Sequence, residues 1–391
     1  MNKHILLLSN AYWPSIGGIE NSLRHLAQEA LLVGDSVEII VSDIGLPNKI
    51  DKIEEEFVEG IKVTRYPLKP SKLGMLNIFY SHYLLYQLLK TKHLSNKNSM
   101  VIARFHFSAL IASWAGFKKV RYLVPSVFNR QVSQESIKNQ NILPRLKQKL
   151  ITMLHNWVQS KALIESKVFV FSETMKIQCQ SIVSKPLIFN LVKPGVDAER
   201  FYPFETVERN NQKKLLSLPI DKQIILFVGR FVKAKGVDLL IDACSKLEKD
   251  VHLVIIGGGE EKANYLNMTS QLNLDSSVTF VPPLKEVELY YRCADLFVLS
   301  SRYEPLGQTL LEAFSSGLRV AAFTKESGAD TATEELGMEP FVGYANELNG
   351  QNLAKAINAQ LILSNDAERF SIAQLANRKF SWATLYQNLI N

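Results

Sequence analysis

The chain has three cysteines in 391 residues, Cys179, Cys244 and Cys293, widely spaced and odd in number. That excludes a disulfide framework and offers neither a metal nor a redox spacing, so buried free thiols in a reducing cytoplasm are expected. Long apolar runs are missing too. Ile5 to Leu8 is too short for a secretory core segment, and nothing approaches the ~20 consecutive apolar residues that span a bilayer. No Asp-x-Asp pair and no His/Cys cluster offers metal ligands. The first strand runs into Ser9-Asn10-Ala11-Tyr12-Trp13-Pro14-Ser15-Ile16-Gly17-Gly18 instead of G-x-G-x-x-G, which disfavours a dinucleotide-dependent dehydrogenase.

Acidic residues are absent from a long stretch. None lies between Glu59 and Glu135, where Lys62, Arg65, Lys69, Lys72, Lys90, Lys92, Lys97, Arg104, Lys118, Lys119, Arg121 and Arg130 fall. Residues 1–195 carry 25 Lys and Arg against 13 Asp and Glu, while the remainder carries 20 against 25. This asymmetry points to an anionic partner for the first half: nucleic acid, a phospholipid surface or a polyprenyl-diphosphate-linked acceptor. A solvated basic face tuned for solubility is the alternative. No nucleic-acid-binding module is recognisable, so the membrane or acceptor reading is preferred, with residues 60–160 as the contact region.

Composition is that of a compact fold, 47% hydrophobic and 21% charged without low-complexity tracts. The length fits two domains. Apolar runs alternate with helical patterns, the mark of α/β architecture. Strands are expected at 4–10, 36–43, 61–67, 100–107 and 120–127, and helices at 21–34, 76–93 and 144–162; the apolar segments 167–175 and 186–197 close the first half. The polar, proline-bearing stretch Ala198 to Gln223 reads as a linker. The pattern then restarts, with strands at 224–230, 252–259, 277–283, 296–301 and 319–323 and helices between and after them. The expected domains are 1–200 and 215–375.

The most informative stretch is Tyr290 to Val320. A strand-like run, Leu296 to Leu299, meets a loop carrying Glu304, then a turn at Pro305-Leu306-Gly307, then an apolar helix carrying Glu312. Two carboxylates eight residues apart thus flank the carboxyl end of a strand and the amino end of a helix. In open α/β sheets ligands bind there, and free helix N–H groups favour phosphate. A carboxylate beside a phosphate serves better as an acceptor for sugar hydroxyls than as a charge. Together these features suggest a nucleotide-sugar site. Upstream, Arg230 and Lys235 sit on a strand-to-helix loop between Gly229 and Gly236, suited to a diphosphate whose charge grows as a sugar departs.

The segment resembles the E-x7-E motif of the family-4 retaining glycosyltransferases, and the resemblance extends over nearly the whole chain. The phrases CADLFVLSSRYEPLG and EAFSSG on either side of the glutamates, and GRFVKAKG for the family's G-R-x4-K-G, carry it. It implies the GT-B fold, an α/β architecture of two Rossmann-like domains facing a central cleft, with a final helix at about 380–391 crossing back to the first. It implies that Glu304 contacts donor-sugar hydroxyls and Glu312 the ribose. Leu306, Gly307, Gln308 and Thr309 would approach sugar and diphosphate, and Arg230 and Lys235 would hold the donor phosphates. The Gly17-Gly18 loop would line the cleft between donor phosphate and acceptor and contribute to donor binding. Glu304, Arg230 and Lys235 are the candidate catalytic residues. Gly257 to Gly259 and Val281 to Pro283 match regions near the base, although a glycine-requiring turn explains the former equally well.

There are departures. Many relatives carry a histidine where this chain has Pro125, or Ser126 in a shifted register. His106, one strand earlier, and Arg104 beside it are the acceptor-side candidates, with a structural histidine the competing reading. Pro194-Gly195-Val196-Asp197 replaces the usual Asn-Gly-Val-Asp, and Arg319 replaces a usual proline. The function implied is sugar transfer from a nucleoside diphosphate to a glycan or lipid-linked acceptor hydroxyl with retention. It would need no cofactor and no metal, and would act in the assembly of a bacterial surface polysaccharide or glycolipid. The expected location is the cytoplasm, peripherally on the inner membrane face. A non-catalytic accessory subunit of the same fold is the rival reading.

Overall fold

The computed structural model describes residues 2–15, 17–68, 75–128, 142–247 and 250–391. Lys69, Lys72 and Arg130 of the acid-free stretch lie outside them. The chain divides into two units, Met1–Pro194 with Trp382–Asn391, and Gly195–Ser381.

The first unit runs β1 (His4–Leu8), α1 (Gly18–Leu32), β2 (Ser36–Ser42), β3 (Glu54–Val58), β4 (Ile61–Tyr66), α2 (Met75–Ser95), β5 (Met100–Ala103), α3 (His106–Trp114), β6 (Val120–Leu123), α4 (Ile142–Glu165), β7 (Lys167–Val170), α5 (Glu173–Gln180) and β8 (Phe189–Leu191). Its sheet order is β3-β4-β2-β1-β5-β6-β7-β8. Every pairing is parallel except the β3–β4 hairpin at one edge. The central strands are continuous apolar runs because both faces are covered; Ile5 to Leu8 and Val101 to Ala103 are fully buried.

The hairpin changes the reading of the basic stretch. Glu54, Glu55 and Glu56 of β3 face β4. Lys62 pairs with Glu55 at 2.8 Å, Arg65 with Glu56, and Lys92 with Glu38 at 2.7 Å. Arg104 and Arg121 are buried. Lys90, Lys97, Lys118 and Lys119 are left exposed. Three of the nine described cations of the stretch are therefore neutralised by acids lying earlier in the chain.

The second unit continues with α6 (Thr206–Leu215), β9 (Gln223–Val228), α7 (Val237–Cys244), β10 (Val251–Ile256), α8 (Lys262–Gln271), β11 (Val278–Val281), α9 (Glu288–Cys293), β12 (Leu296–Leu299), β13 (Tyr303–Glu304), α10 (Gln308–Ser315), β14 (Arg319–Phe323), β15 (Asp330–Thr331), β16 (Val342–Ala345), α11 (Gly350–Leu363) and α12 (Asp366–Lys379). Its main sheet is parallel throughout, in the order β11-β10-β9-β12-β14-β16. Alternate residues feed two cores on opposite faces. Leu226, Phe297 and Val320 enter one, and Ile225, Val298 and Ala321 the other. The stretch read as a linker is not one throughout: α6 lies within it and is tied to the second unit through Lys213 and Arg209, which both pair with Asp295.

The last helix, α13 (Trp382–Ile390), belongs to the first unit. Trp382 stacks on His25 at 4.9 Å between ring centroids. Lys3 Nζ donates to the Ile390 carbonyl at 3.1 Å, and Tyr386 Oη donates to Asp35 Oδ2 at 2.7 Å. Asp35 is buried and also accepts from the Lys3 backbone N–H. Tyr386→Phe therefore leaves a buried carboxylate short of a donor, a loss of about 1–3 kcal/mol. The expected result is faster amide exchange in α13 and β1, read by hydrogen-exchange mass spectrometry, with the second unit unchanged.

Candidate functional site

Parallel sheets place loops of functional use where the strand order reverses. In the second unit the chain builds outward through β9, β10 and β11, then returns to lay β12, β14 and β16 on the other side of β9. The switch point lies between β9 and β12. The loop after β9 carries Gly229 to Gly236, with Arg230 and Lys235; the loop after β12 carries Ser300 to Gly307, with Glu304. Topology thus brings together residues about seventy positions apart.

Glycines let these loops touch. Gly236 has φ +63°, and a Cβ there would fall 2.0 Å from the Ser300 carbonyl oxygen. Ser300 Oγ donates to the Lys235 carbonyl at 3.0 Å, and the Arg302 backbone N–H to Ala234 O at 2.9 Å. The Arg302 guanidinium spans the junction. It donates to the Lys233 carbonyl and holds Asp238 by two bonds of 2.8 and 2.6 Å. Gly257 and Gly259 act similarly from the β10 side. Cβ atoms there would lie 1.9 Å from Gly229 O and 2.5 Å from Phe231 O, and Phe231 N–H bonds to Gly258 O at 2.8 Å. Close packing against the Arg230 loop accounts for those glycines without a ligand.

Glu304 is held from two sides. One oxygen, Oε2, is paired with Lys235 Nζ; the other, Oε1, accepts the Gly307 N–H at 3.1 Å. Gly307 has φ +72° and precedes α10, so the turn from carboxylate to helix needs that residue. The first-turn N–H groups of α10, on Gln308 and Thr309, have no intrahelical acceptor by geometry. The Gln308 side chain is anchored, donating to Gly195 O at 3.2 Å. Leu306 is half-buried beside them. On the neighbouring loop the Arg230 guanidinium is exposed, with no hydrogen-bond or ion-pair partner among the described residues.

Glu312, one turn further along α10, is buried. Burial pushes its carboxyl up to about 7, although the Tyr291 hydroxyl, donating to Oε2 at 3.0 Å, and the Arg200 charge pull the other way. Tyr291 Oη also lies 3.2 Å from the Thr309 carbonyl. Sequence reading missed Tyr291, Arg302 and Asp238. The first looks like an ordinary core aromatic, and the other two form a pair 64 residues apart.

The first unit has its own switch point, between β1 and β5. Gly17 and Gly18 follow β1 and open α1; Gly17 is extended, at φ −174°. Glu20, in the first turn, has its carboxyl raised by burial and is affected by the Arg104 charge. Arg104 follows β5. It is fully enclosed, donates to Leu123 O at 3.2 Å, sits 5.4 Å from the Phe171 ring centroid and leaves Nε without a partner. Burial lowers it to about 10, so it stays charged at neutral pH. His106 was expected at a strand end but begins α3. It is buried, its Nε2 is 2.9 Å from His155 Nδ1, and burial lowers it to about 3. It is a neutral member of an aromatic cluster with Phe105, Phe107 and His155. Among the described residues, no group of three or more His, Cys, Asp or Glu is placed to hold a metal ion.

Residues 208–374 match the family model Glycosyl transferases group 1. Mannosylfructose-phosphate synthase of Agrobacterium fabrum is 36% identical over 141 residues, 33% of this chain and 31% of that protein. The chain spans about a third to a half of the length of the curated relatives it matches. Among solved structures, sucrose-phosphate synthase from Thermosynechococcus elongatus covers 99% of the chain, and 97% of its own length is matched, at TM-score 0.77 and 21% identity. The Anabaena protein HepE in complex with UDP and glucose covers 100%, with 98% of its own length matched, at TM-score 0.71 and 17% identity. These structural matches show the fold.

The environment of Glu312 gives a pH signature. Its folded pKa, about 7, lies above the ordinary 4.5, so the folded state binds the proton more tightly than the unfolded chain. Stability is unaffected below about pH 4.5 and falls as pH rises through about 7, by on the order of 3 kcal/mol. Glu312→Gln removes that loss. Its thermal midpoint should match wild type near pH 5 and exceed it by roughly 5 °C at pH 8; a pH-independent difference would contradict the raised pKa.

Proposed function

We propose that the chain is a retaining glycosyltransferase of the glycosyl transferases group 1 family, moving a hexose from a nucleoside-diphosphate sugar to an acceptor hydroxyl; the match of residues 208–374 to that family's model and the GT-B fold support the reading. One observation carries the reading. Glu304 is fixed between the Lys235 ammonium and the Gly307 N–H at the start of α10, while an unpaired Arg230 guanidinium occupies the next loop at the same switch point. Cations and helix N–H groups suit a diphosphate, and a carboxylate fixed beside them suits sugar hydroxyls.

In this reading Arg230, Lys235 and the Gln308 and Thr309 N–H groups take the diphosphate. Lys235 has three donors, so it can hold a phosphate oxygen while keeping Glu304 in place. Glu304 accepts from hydroxyls of the donor sugar, with Leu306 and Gly307 as its floor. Glu312 accepts from the two ribose hydroxyls, which requires its ionised form. Gly17 and Gly18, at the switch point of the first unit, are assigned to the donor by the family resemblance, and Arg104 to the acceptor side. His106, buried against His155, serves as packing. The acceptor oxygen attacks the anomeric carbon as the bond to the phosphate oxygen breaks. The electron pair leaves with the diphosphate, and the acceptor proton passes to that leaving oxygen. Both site carboxylates are engaged in hydrogen bonds, which favours this front-face substitution over attack by a side chain. Trapping a covalent glycosyl-enzyme would refute it.

The acceptor in this proposal is a glycan or lipid-linked intermediate of a surface polysaccharide or glycolipid, met at the cytoplasmic membrane face. No described helix is long and apolar enough to cross a membrane. The UDP bound by HepE makes uridine diphosphate sugars the first donors to test, before guanosine and adenosine ones.

A donor should raise the thermal midpoint of wild type by mass action. The shift should vanish in Glu312→Ala and Arg230→Ala. Lys235→Ala should lower kcat about 10²–10³-fold, the usual loss of one preorganised donor at developing charge. No shift with any of the three donor classes would favour the accessory-subunit reading. An inverted product anomer, read by NMR, would overturn retention.

A further inference from the structure

Where α2, α3 and α4 meet, they enclose a cleft of about 320 Å³ lined by Tyr83, Tyr86, Phe107, Trp114, Leu154 and Trp157 among others. Its rim is open. Phe79 is 60% exposed, Trp114 55% and Trp157 51%. Leu150 and Met153 are also exposed and, with Trp157, form a stripe at i, i+3 and i+7 along α4. A contiguous apolar patch of this kind marks an interaction surface. Two of the chain's four tryptophans stand in it.

Charge decides what it meets. The sequences of α2 and α3 contain no acidic residue, and α4 contains none before Glu165. Exposed lysines border the patch. Lys90 lies 5.6 Å from the Tyr86 ring centroid, Lys149 precedes the stripe, and Lys161 follows Trp157 by one turn. Lysine is depleted at protein–protein interfaces, and two copies of one lysine-rimmed face repel each other. Lysine with tryptophan and tyrosine around an apolar face is the chemistry of the lipid headgroup boundary.

We propose that this cleft and its rim dock on an anionic phospholipid surface, with the Trp114, Trp157, Tyr83 and Met153 side chains entering the headgroup–acyl boundary and the lysines bound to lipid phosphates. The inference rests on the reading of a membrane-linked acceptor and names the surface that would serve it.

The test is co-sedimentation of the full chain with phosphatidylcholine vesicles and with vesicles containing phosphatidylglycerol, together with tryptophan quenching by brominated lipid. Wild type should bind the anionic vesicles and be quenched. Trp114→Ser/Trp157→Ser, and separately Lys149→Glu/Lys161→Glu, should each weaken binding about ten-fold or more. Thermal midpoints and donor-induced shifts, measured on the same samples, confirm that the variants fold and keep the donor site. Failure of wild type to bind anionic vesicles, equal binding to neutral ones, or binding untouched by both variants overturns the proposal. So does a dimer in solution that the tryptophan variant dissociates, which assigns the face to a second copy. Loss of the donor shift in wild type, with vesicle binding retained, would instead refute the glycosyltransferase reading and leave the surface standing.

Discussion

At Gly236 the backbone of one loop lies against the Ser300 carbonyl of another so closely that no side chain fits between them. The rest of the geometry at this switch point depends on that contact. It sets Lys235 beside Glu304, and it lets Arg302 reach Lys233 O and Asp238. Glu304 in turn fixes Gly307 and the direction in which α10 starts. The contact exists because β9 and β12 are neighbours in the sheet, so it follows from strand order and from the absence of a Cβ.

Electrostatics divides the site into three states of charge. Arg230 is unpaired and open to an anion. Lys235 and Glu304 neutralise each other and can each gain a partner. Glu312 is buried and holds its proton up to about pH 7. A ligand that brings an anion to the first and hydrogen-bond donors to the carboxylates supplies what each lacks. Arg104 in the first unit is a different case, a fully enclosed cation whose protein partners are a carbonyl and an aromatic face.

Several features were legible because their physics is local. Short apolar runs such as Ile5–Leu8 and Ile224–Phe227, rich in branched residues and bounded by turn signals, read as buried strands, and Glu304, Gly307 and Glu312 form one strand–turn–helix unit. The fold matched for the same reason, since each β–α repeat declares its own period. What was misread is non-local. Strand β3 is polar and exposed at a sheet edge, so Glu54 to Glu56 carry no apolar alternation. The helix Thr206–Leu215 is hydrophilic on most of its surface and looked like linker. The acid-free stretch looked uniformly basic because Glu38, Glu55 and Glu56, which pair with Lys92, Lys62 and Arg65, come earlier in the chain.

The sequence by itself determined the two sets of strand–helix repeats, the glycine turns and the residue types at the switch point, because spacing and conformational preference act within a few residues. Only the tertiary structure decided which of those groups meet. It placed Tyr291 on Glu312, buried His106 against His155, and gathered the aromatic residues of α2, α3 and α4 around one cleft. Burial and pairing, which set the charge of each of these groups, depend on neighbours distant in the chain. Sequence spacing carries no record of them.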